Sequence, residues 1–147
     1  MNKRRLLRLA LLLETLPRKR FDYGHWVGED WKGDKSLSCG TTACALGWAT
    51  TVPSFGLVLR LSGPDSGGYV SLRGSRLGSK GDEPEEAAMS VFGLTKEEVF
   101  YLFYPYYSGL RFNASPKRVA KHIRDFVKRG GLPPGHPAPR HPDAVPF

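Results

Sequence analysis

Cys39 and the residues that follow it offer the sharpest chemistry in this chain of 147 residues. We predict a helix that starts in the segment Cys39-Gly-Thr-Thr-Ala-Cys-Ala-Leu-Gly-Trp48. A thiol at a helix start lies near unpaired amide hydrogens and the positive end of the helix dipole, and both lower its pKa. The amides of Gly40 and Thr41 could then form an oxyanion hole. One hypothesis is therefore a thiol-dependent enzyme with Cys39 as the nucleophile.

Such a nucleophile needs a base, and the sequence leaves the choice open. His25 or His122 could take the proton, and Asp22 or Asp30 could orient the imidazole. The competing interpretation makes both cysteines small apolar side chains, buried where the helix meets its neighbours. Because no flanking signature of a known cysteine hydrolase surrounds Cys39, we favour a chain without a catalytic residue.

The same cysteines are the first ligands to consider for a metal site. Zinc would need Cys39, Cys44 and two of the four histidines, which are His25, His122, His136 and His141. The Cys-x4-Cys spacing is not that of a structural zinc knuckle, and the last two histidines stand in a proline-rich tail. We therefore predict no metal and no cofactor. A disulfide would require a turn at Cys39, and a chain with only two cysteines is typical of a reducing compartment.

Phosphate binding is a second kind of chemistry, indicated on the last predicted helix. Its apolar side carries Val119, Ile123 and Phe126, and its other side carries basic residues that could track a nucleic-acid backbone. This basic set is Lys117, Arg118, Lys121, Arg124 and Lys128. Stacking surfaces could come from Tyr101, Tyr104, Tyr106 and Tyr107. The alternative is a solvated basic face beside a tyrosine-rich edge of the core.

The formal charge of +8 is concentrated at the two ends of the predicted domain. Residues 1–20 hold seven Lys/Arg against Glu14, a net of +6, and residues 115–131 hold six against Asp125, a net of +5. The intervening residues 21–114 have a net charge of −3. This polarity can steer the chain towards phosphate or an acidic partner.

The N-terminal segment begins like a signal peptide, with Lys3-Arg-Arg5 before two leucines. Arg8 and Glu14 interrupt the apolar run, and no small-residue cleavage site follows. We interpret the segment as a mature helix that is too short to span a bilayer, and we expect the protein in the cytoplasm.

Periodicity and turn chemistry predict the elements that position these residues. A first helix is expected over residues 2–16, because apolar residues recur on one stripe at Leu6, Leu9, Leu13 and Leu16. Residues 21–38 lack a period and are predicted as a long loop. The segment from Cys39 is predicted as a buried central helix, opened by a threonine cap and ended before Pro53.

The second half of the chain carries a hairpin signal and three helix signals. Leu57–Leu61 and Tyr69–Leu72 flank a glycine-rich cluster and predict the hairpin. The helix signals are an acidic cap at Asp82 with Gly93 as the stop, a capping box at Thr95 and Glu98, and Ser115-Pro116 with Gly130 as the stop. These elements predict an α+β fold: a mainly α-helical single domain over residues 1–131 with a small β-hairpin insertion.

Residues 132–147 are predicted as an extended Pro-rich C-terminal tail, with six prolines in the segment after Leu132. Proline keeps such a segment extended and lowers the entropy lost when it binds. We expect the tail to dock on a protein partner or another copy through Pro133, Pro134, Val145 and Phe147.

Two motifs together resemble a diffuse set of short bacterial and phage proteins. These proteins share a Cys-Gly-Thr-x-x-Cys-x-x-Gly-(Trp/His) helix, as at Cys39–Trp48, and a later Phe-Gly-Leu-(Ser/Thr)-x-x-Glu helix, as at Phe92–Glu98. The likeness spans roughly residues 6–127. It implies a bacterial or phage origin and transfers no catalytic residue, because the set has no established activity.

These observations predict a non-enzymatic accessory protein of bacterial or phage origin that acts by binding. Its ligand is predicted to be a protein partner or an assembly, virion association included. The alternatives are nucleic-acid backbone binding through the basic C-terminal helix and a thiol-dependent enzyme centred on Cys39.

Overall fold

The computed structural model describes residues 1–27, 31, 37, 42–63 and 66–136. Within these residues the chain forms six α-helices and one antiparallel hairpin, so the expected mainly helical α+β fold is confirmed. The hairpin strands are β1 (Leu57–Gly63) and β2 (Ser66–Leu72). The helices are α1 (Lys3–Thr15), α2 (Ala45–Ala49), α3 (Pro84–Phe92), α4 (Lys96–Phe103), α5 (Pro105–Ser108) and α6 (Pro116–Arg129).

The two longest helices, α1 and α6, pack along each other and form one side of the core. Asn2 caps α1 by accepting a hydrogen bond from the amide of Arg5 at 3.1 Å. The leucine stripe predicted from the sequence is buried at Leu6, Leu9 and Leu13. On α6 the buried face includes Val119, Ile123 and Phe126, each fully excluded from solvent. The two basic terminal segments are therefore neighbours in the folded chain.

The central helix α2 begins later than predicted, with Cys44 rather than a threonine at its N-cap. The reason is long-range pairing, because Phe21 and Ala43 form a parallel β-bridge. The amide of Ala43 donates to the carbonyl of Arg20 at 3.3 Å, and the amide of Cys44 donates to the carbonyl of His25 at 2.8 Å. These amides are held in extended backbone, so the helix cannot start before them. All five residues of α2 are buried.

Gly47 lies at the centre of α2 because the helix passes very close to the preceding loop. A Cβ at this position would stand 2.0 Å from the carbonyl oxygen of Trp26 and 2.7 Å from the Cβ of Ala43. Only glycine permits this approach.

The hairpin extends further than predicted, and Asp82 holds it against the start of α3. The strands pair in register with Leu57 opposite Leu72 and Leu59 opposite Val70. The carboxylate of Asp82 accepts hydrogen bonds from the Tyr69 hydroxyl at 3.0 Å and the Gly78 amide at 2.8 Å. Asp82 is thus engaged with the hairpin, and the N-cap of α3 is Glu83 instead.

Helices α3 and α4 are joined by the capping box predicted from the sequence. Gly93 ends α3 with a φ of 61°, in the left-handed region that favours glycine. The Thr95 hydroxyl accepts a hydrogen bond from the amide of Glu98 at 3.2 Å, and the Glu98 carboxylate accepts one from the amide of Thr95 at 2.9 Å. The short helix α5 after Tyr104 was not predicted.

The described part of the tail turns back onto the domain. Helix α6 ends at Gly130, and Leu132 packs against the core. The amide of His136 donates to the carbonyl of Pro133 at 3.1 Å, and the His136 ring lies edge-on to Tyr101 at 4.7 Å. Pro133 is half-buried and Pro134 is exposed, whereas Val145 and Phe147 lie outside the described residues.

Candidate functional site

Cys39 lies outside the described residues, as do Gly40, Thr41 and Asp30, so the thiol-enzyme hypothesis stays a prediction. The other cysteine, Cys44, is buried in the core with its Sγ 4.0 Å from the carbonyl oxygen of Trp26. Burial raises the pKa of the Cys44 thiol to about 12. A thiol in this environment stays protonated at neutral pH and packs as a small apolar group.

His25 and Asp22, which were predicted as base and orienting acid, do lie together. The Nδ1 of His25 is 2.8 Å from Oδ2 of Asp22, and the His25 side chain is 64% exposed. The other carboxylate oxygen of Asp22 accepts from the amide of Gly24 at 2.9 Å. The pair is the product of a local turn, which also orders the loop that covers α2.

His122 is half-buried beside Tyr101. Its Nε2 is 3.0 Å from the carbonyl oxygen of Tyr101, and burial lowers its pKa. Because Cys39 lies outside the described residues, the role of base that the sequence left open for His122 stays a prediction. Within the part of the chain that the structure describes, no group of three or more His, Cys, Asp or Glu side chains could hold a metal ion.

The basic face predicted on α6 is divided by ion pairs. Arg124 donates to both carboxylate oxygens of Glu14, and the Nζ of Lys121 lies 2.6 Å from Oδ2 of Asp125. Lys117 and Lys128 are exposed. The fifth predicted residue, Arg118, lies at the N-terminal end of the helix and lines a cleft.

This arginine cleft has a volume of about 440 Å³ and lies where the ends of α1 and α6 meet. Three arginines from separate segments line it: Arg18 after α1, Arg111 before α6, and Arg118 in the first turn of α6. The rest of its lining is Gly109, Asn113, Ala114 and Ser115. The lining thus contains three cations and no carboxylate.

The arginines differ in how they are held. A terminal nitrogen of Arg18 donates to the carbonyl oxygen of Asn113, which fixes the segment after α1 against the loop before α6. Arg111 and Arg118 are exposed, and their guanidinium groups make no hydrogen bond or ion pair with any residue that the structure describes. Among the described residues, two of the three cations therefore lack a partner.

The charge at the start of α6 is the reverse of what helix stability favours. Lys117 and Arg118 occupy its first turn, and no acidic residue does. Cations at the positive end of a helix each cost about 0.3–1 kcal/mol. The Ser115 hydroxyl caps the helix by accepting from the Arg118 amide at 3.2 Å, so the helix start itself is well formed. A bound anion would offset this unfavourable arrangement.

An aromatic hollow of about 370 Å³ adjoins the arginine cleft and shares Arg18, Asn113 and Ala114 with it. Its remaining lining is Phe21, Asp22, Thr42 and Phe112. The ring of Phe112 makes an edge contact with Tyr106 at 4.7 Å, and these two residues are 49% and 78% exposed. Phe112 packs over Gly24, where an added Cβ would lie 3.0 Å from the ring.

Of the four tyrosines predicted as stacking surfaces, Tyr106 is the exposed one. Tyr101 is buried and its hydroxyl accepts from Arg129 at 3.2 Å. The Tyr104 hydroxyl donates to Glu85, and burial raises the pKa of Tyr104. Tyr107 is half-buried and contacts Phe100.

The sequence interpretation missed Arg18, Arg111 and Phe112. One local signal was present, because the polar loop before α6 reads Gly109-Leu-Arg-Phe-Asn113 and places a cation beside an aromatic residue. Arg18 carried no such signal, since it joins the cleft only through the packing of α1 on α6.

No helix in the described residues is long and apolar enough to cross a membrane.

Comparison with protein-family models, with curated proteins and with solved structures finds no match to the chain.

Proposed function

We propose that this chain acts by binding, and that its arginine cleft holds the phosphate backbone of a nucleic acid. The observation that supports the proposal is the convergence of Arg18, Arg111 and Arg118 on one cleft, with two of the guanidinium groups unpaired among the described residues. The proposal keeps the expectation of a non-enzymatic accessory protein of bacterial or phage origin and replaces the face of α6 with the cleft at its N-terminal end.

Arginine suits phosphate because its planar guanidinium is always charged and can donate two parallel hydrogen bonds to two phosphate oxygens. Three such groups around one cleft repel one another. A phosphate bound between them attracts all three and offsets this repulsion. The first-turn cations of α6 add to this effect, since a ligand anion would also interact favourably with the positive end of the helix.

The wider charge distribution favours a polymer over a single small anion. The two basic terminal segments meet along α1 and α6. The exposed Lys117 lies next to Arg118, which lines the cleft. A polyanion lying in the cleft can contact these further cations, and the net charge of +8 steers it there.

A protein partner bound by the tail is the other function we propose from the sequence, and it is compatible with the cleft. The residues expected to anchor that partner are Val145 and Phe147. Neither residue lines the cleft, so phosphate binding there can be tested without them.

The proposal is tested by the fluorescence anisotropy of labelled oligonucleotides at two salt concentrations, about 50 mM and 200 mM. We expect Arg111→Gln and Arg118→Gln each to weaken binding by about tenfold at low salt, because each removes one phosphate contact. Each should also reduce the salt slope by roughly 0.7–0.9.

The matched control is Arg76→Gln, which removes an exposed arginine that does not line the cleft. It changes the net charge by the same amount, so a general charge effect would appear in it equally. Equal losses in all three variants would contradict the proposal, as would the absence of any salt-dependent binding by the unmodified protein.

A further inference from the structure

Phe112 and Tyr106 form an exposed aromatic platform beside the arginine cleft. Large aromatic side chains at 49% and 78% exposure are costly to leave in water. Here the edge of one ring lies against a face of the other in a T-shaped contact, and both side chains still expose much of their surface. Phe112 is also supported from below by Gly24, whose lack of a side chain lets the ring lie close to the backbone. The platform is therefore a defined surface rather than two scattered side chains.

The cleft and the hollow differ in charge, which distinguishes what each can hold. The arginine cleft contains three cations and no carboxylate, so it suits phosphate. The polar lining of the aromatic hollow is Asp22, Thr42, Asn113 and a single cation, Arg18, and the charge of Asp22 would repel a phosphate. Aromatic faces combined with a few hydrogen-bonding groups are what recognise a nucleobase.

The two surfaces are close enough for one strand to use both. Arg18 and Asn113 line the cleft and the hollow alike, and Arg111 in the cleft is the immediate neighbour of Phe112 in the hollow. Because the two cavities share part of their lining, a phosphate in the cleft and a base in the hollow would lie in adjoining sites.

We infer that the site selects single-stranded nucleic acid, holding phosphates on the three arginines and an unpaired base on Phe112 or Tyr106. This inference rests on the proposed function, since it names the form of nucleic acid that the cleft takes. In a duplex the faces of the bases are covered by their neighbours, so only an unpaired base can stack on the platform.

The test compares three labelled probes: a single-stranded oligonucleotide, a duplex of the same sequence, and inorganic polyphosphate, which carries the charge without bases. The unmodified protein should bind the single strand about tenfold more tightly than the duplex. Tyr106→Ala and Phe112→Ala should each weaken single-strand binding by about tenfold and leave polyphosphate binding within about twofold.

Two further variants separate stacking from stability. Tyr106→Phe keeps the ring face and should bind like the unmodified protein. Because Phe112 packs on Gly24, its alanine variant is compared by thermal unfolding as well, and the more exposed Tyr106→Ala provides the same test with less risk to the fold. A 2-aminopurine base placed in the single strand should be quenched on binding, and Tyr106→Ala with Phe112→Ala should abolish the quenching.

The outcomes are distinguishable. If none of the three probes binds through the cleft arginines, the proposed function fails and the inference fails with it. If the arginine variants weaken all three probes while the duplex binds as tightly as the single strand, or while the aromatic variants bind normally, the phosphate site stands and single-strand selection is overturned.

Discussion

Arg124 donates from Nε and Nη2 to the two carboxylate oxygens of Glu14, at 2.6 and 3.0 Å, and so joins α6 to α1. The two residues are 110 positions apart in the sequence. The hydrogen bond from Arg124 lowers the pKa of Glu14, and the same bond raises the pKa of Arg124. This bidentate pair withdraws Arg124 from the basic face that the sequence predicted for nucleic acid.

Removing the carboxylate should therefore release Arg124 to a ligand. We expect Glu14→Gln to tighten oligonucleotide binding by about twofold to fivefold at low salt, because it frees one cation and removes one competing anion. Anisotropy titrations measure this, with Glu97→Gln as a control that changes the net charge equally at an exposed position on α4. Tightening of the same size in both variants would show a general charge effect.

The same substitution should alter the stability of the fold in a pH-dependent way. The folded pKa of Glu14 is lowered from an ordinary value of 4.5, so its stabilising effect is present above that value and is lost as the pH falls through the folded pKa. Thermal unfolding should show Glu14→Gln less stable than the unmodified protein at neutral pH, with the difference vanishing in acid. A difference that persists in acid would contradict an ionic origin.

His122 should make the protein less stable as the solution becomes mildly acidic. Burial lowers its folded pKa below the ordinary 6.5, so the unfolded chain takes up a proton first and stability falls as the pH drops from about 6.5 through the folded pKa. Thermal unfolding between about pH 7.5 and pH 5 measures the slope. His122→Gln can still donate to the Tyr101 carbonyl but does not titrate, so its stability should fall less steeply with pH. An equally steep fall in this variant would show that another group causes the pH dependence.

Cys44 should resist alkylation in the native protein. Its thiol is buried and its pKa is raised to about 12, so almost none is ionised near neutral pH. In a Cys39→Ser variant, where Cys44 is the sole thiol, iodoacetamide should react slowly under native conditions and readily in denaturant. The complementary Cys44→Ala variant isolates Cys39, and fast selective modification there would support the thiol-enzyme hypothesis.

Gly47→Ala should destabilise the fold although alanine is the better helix former. The new Cβ would stand 2.0 Å from the Trp26 carbonyl oxygen, so the loop or the helix must move. Such overpacking costs about 1–3 kcal/mol, which exceeds the gain of about 1 kcal/mol in helix propensity. Denaturant unfolding gives the free energy, with Ser90→Ala on the exposed side of α3 as the helix control. A stability equal to or above that of the unmodified protein would be inconsistent with the close approach.

Short-range signals in the sequence predicted most of the helices correctly. The leucine stripe of α1, the capping box at Thr95 and Glu98, and the Ser115-Pro116 start of α6 each depend on residues within one or two turns. Their chemistry is complete in the local sequence, and the structure reproduces it.

Long-range pairing explains what the sequence could not predict. The start of α2 is displaced because Ala43 pairs with Phe21, and no local pattern around Ala43 records that partner. The arginine cleft has the same origin, since Arg18 and Arg118 come together only when α1 packs on α6. The predicted basic face included Arg124, but Arg124 is paired with the carboxylate of Glu14, which is distant in the sequence.

The arginine cleft is built from both ends of the domain, so ligand binding in the cleft is coupled to the docking of α1. Arg18 belongs to the segment after α1, and its bond to the Asn113 carbonyl closes one wall, so a molecule in which α1 has detached has no cleft. A ligand that binds only when α1 is docked must raise the free energy needed to detach α1. The increase is about 2.7 kcal/mol at a ligand concentration of 100 times its Kd. Slowed hydrogen exchange at the amides of α1, remote from most of the ligand contacts, would then report binding.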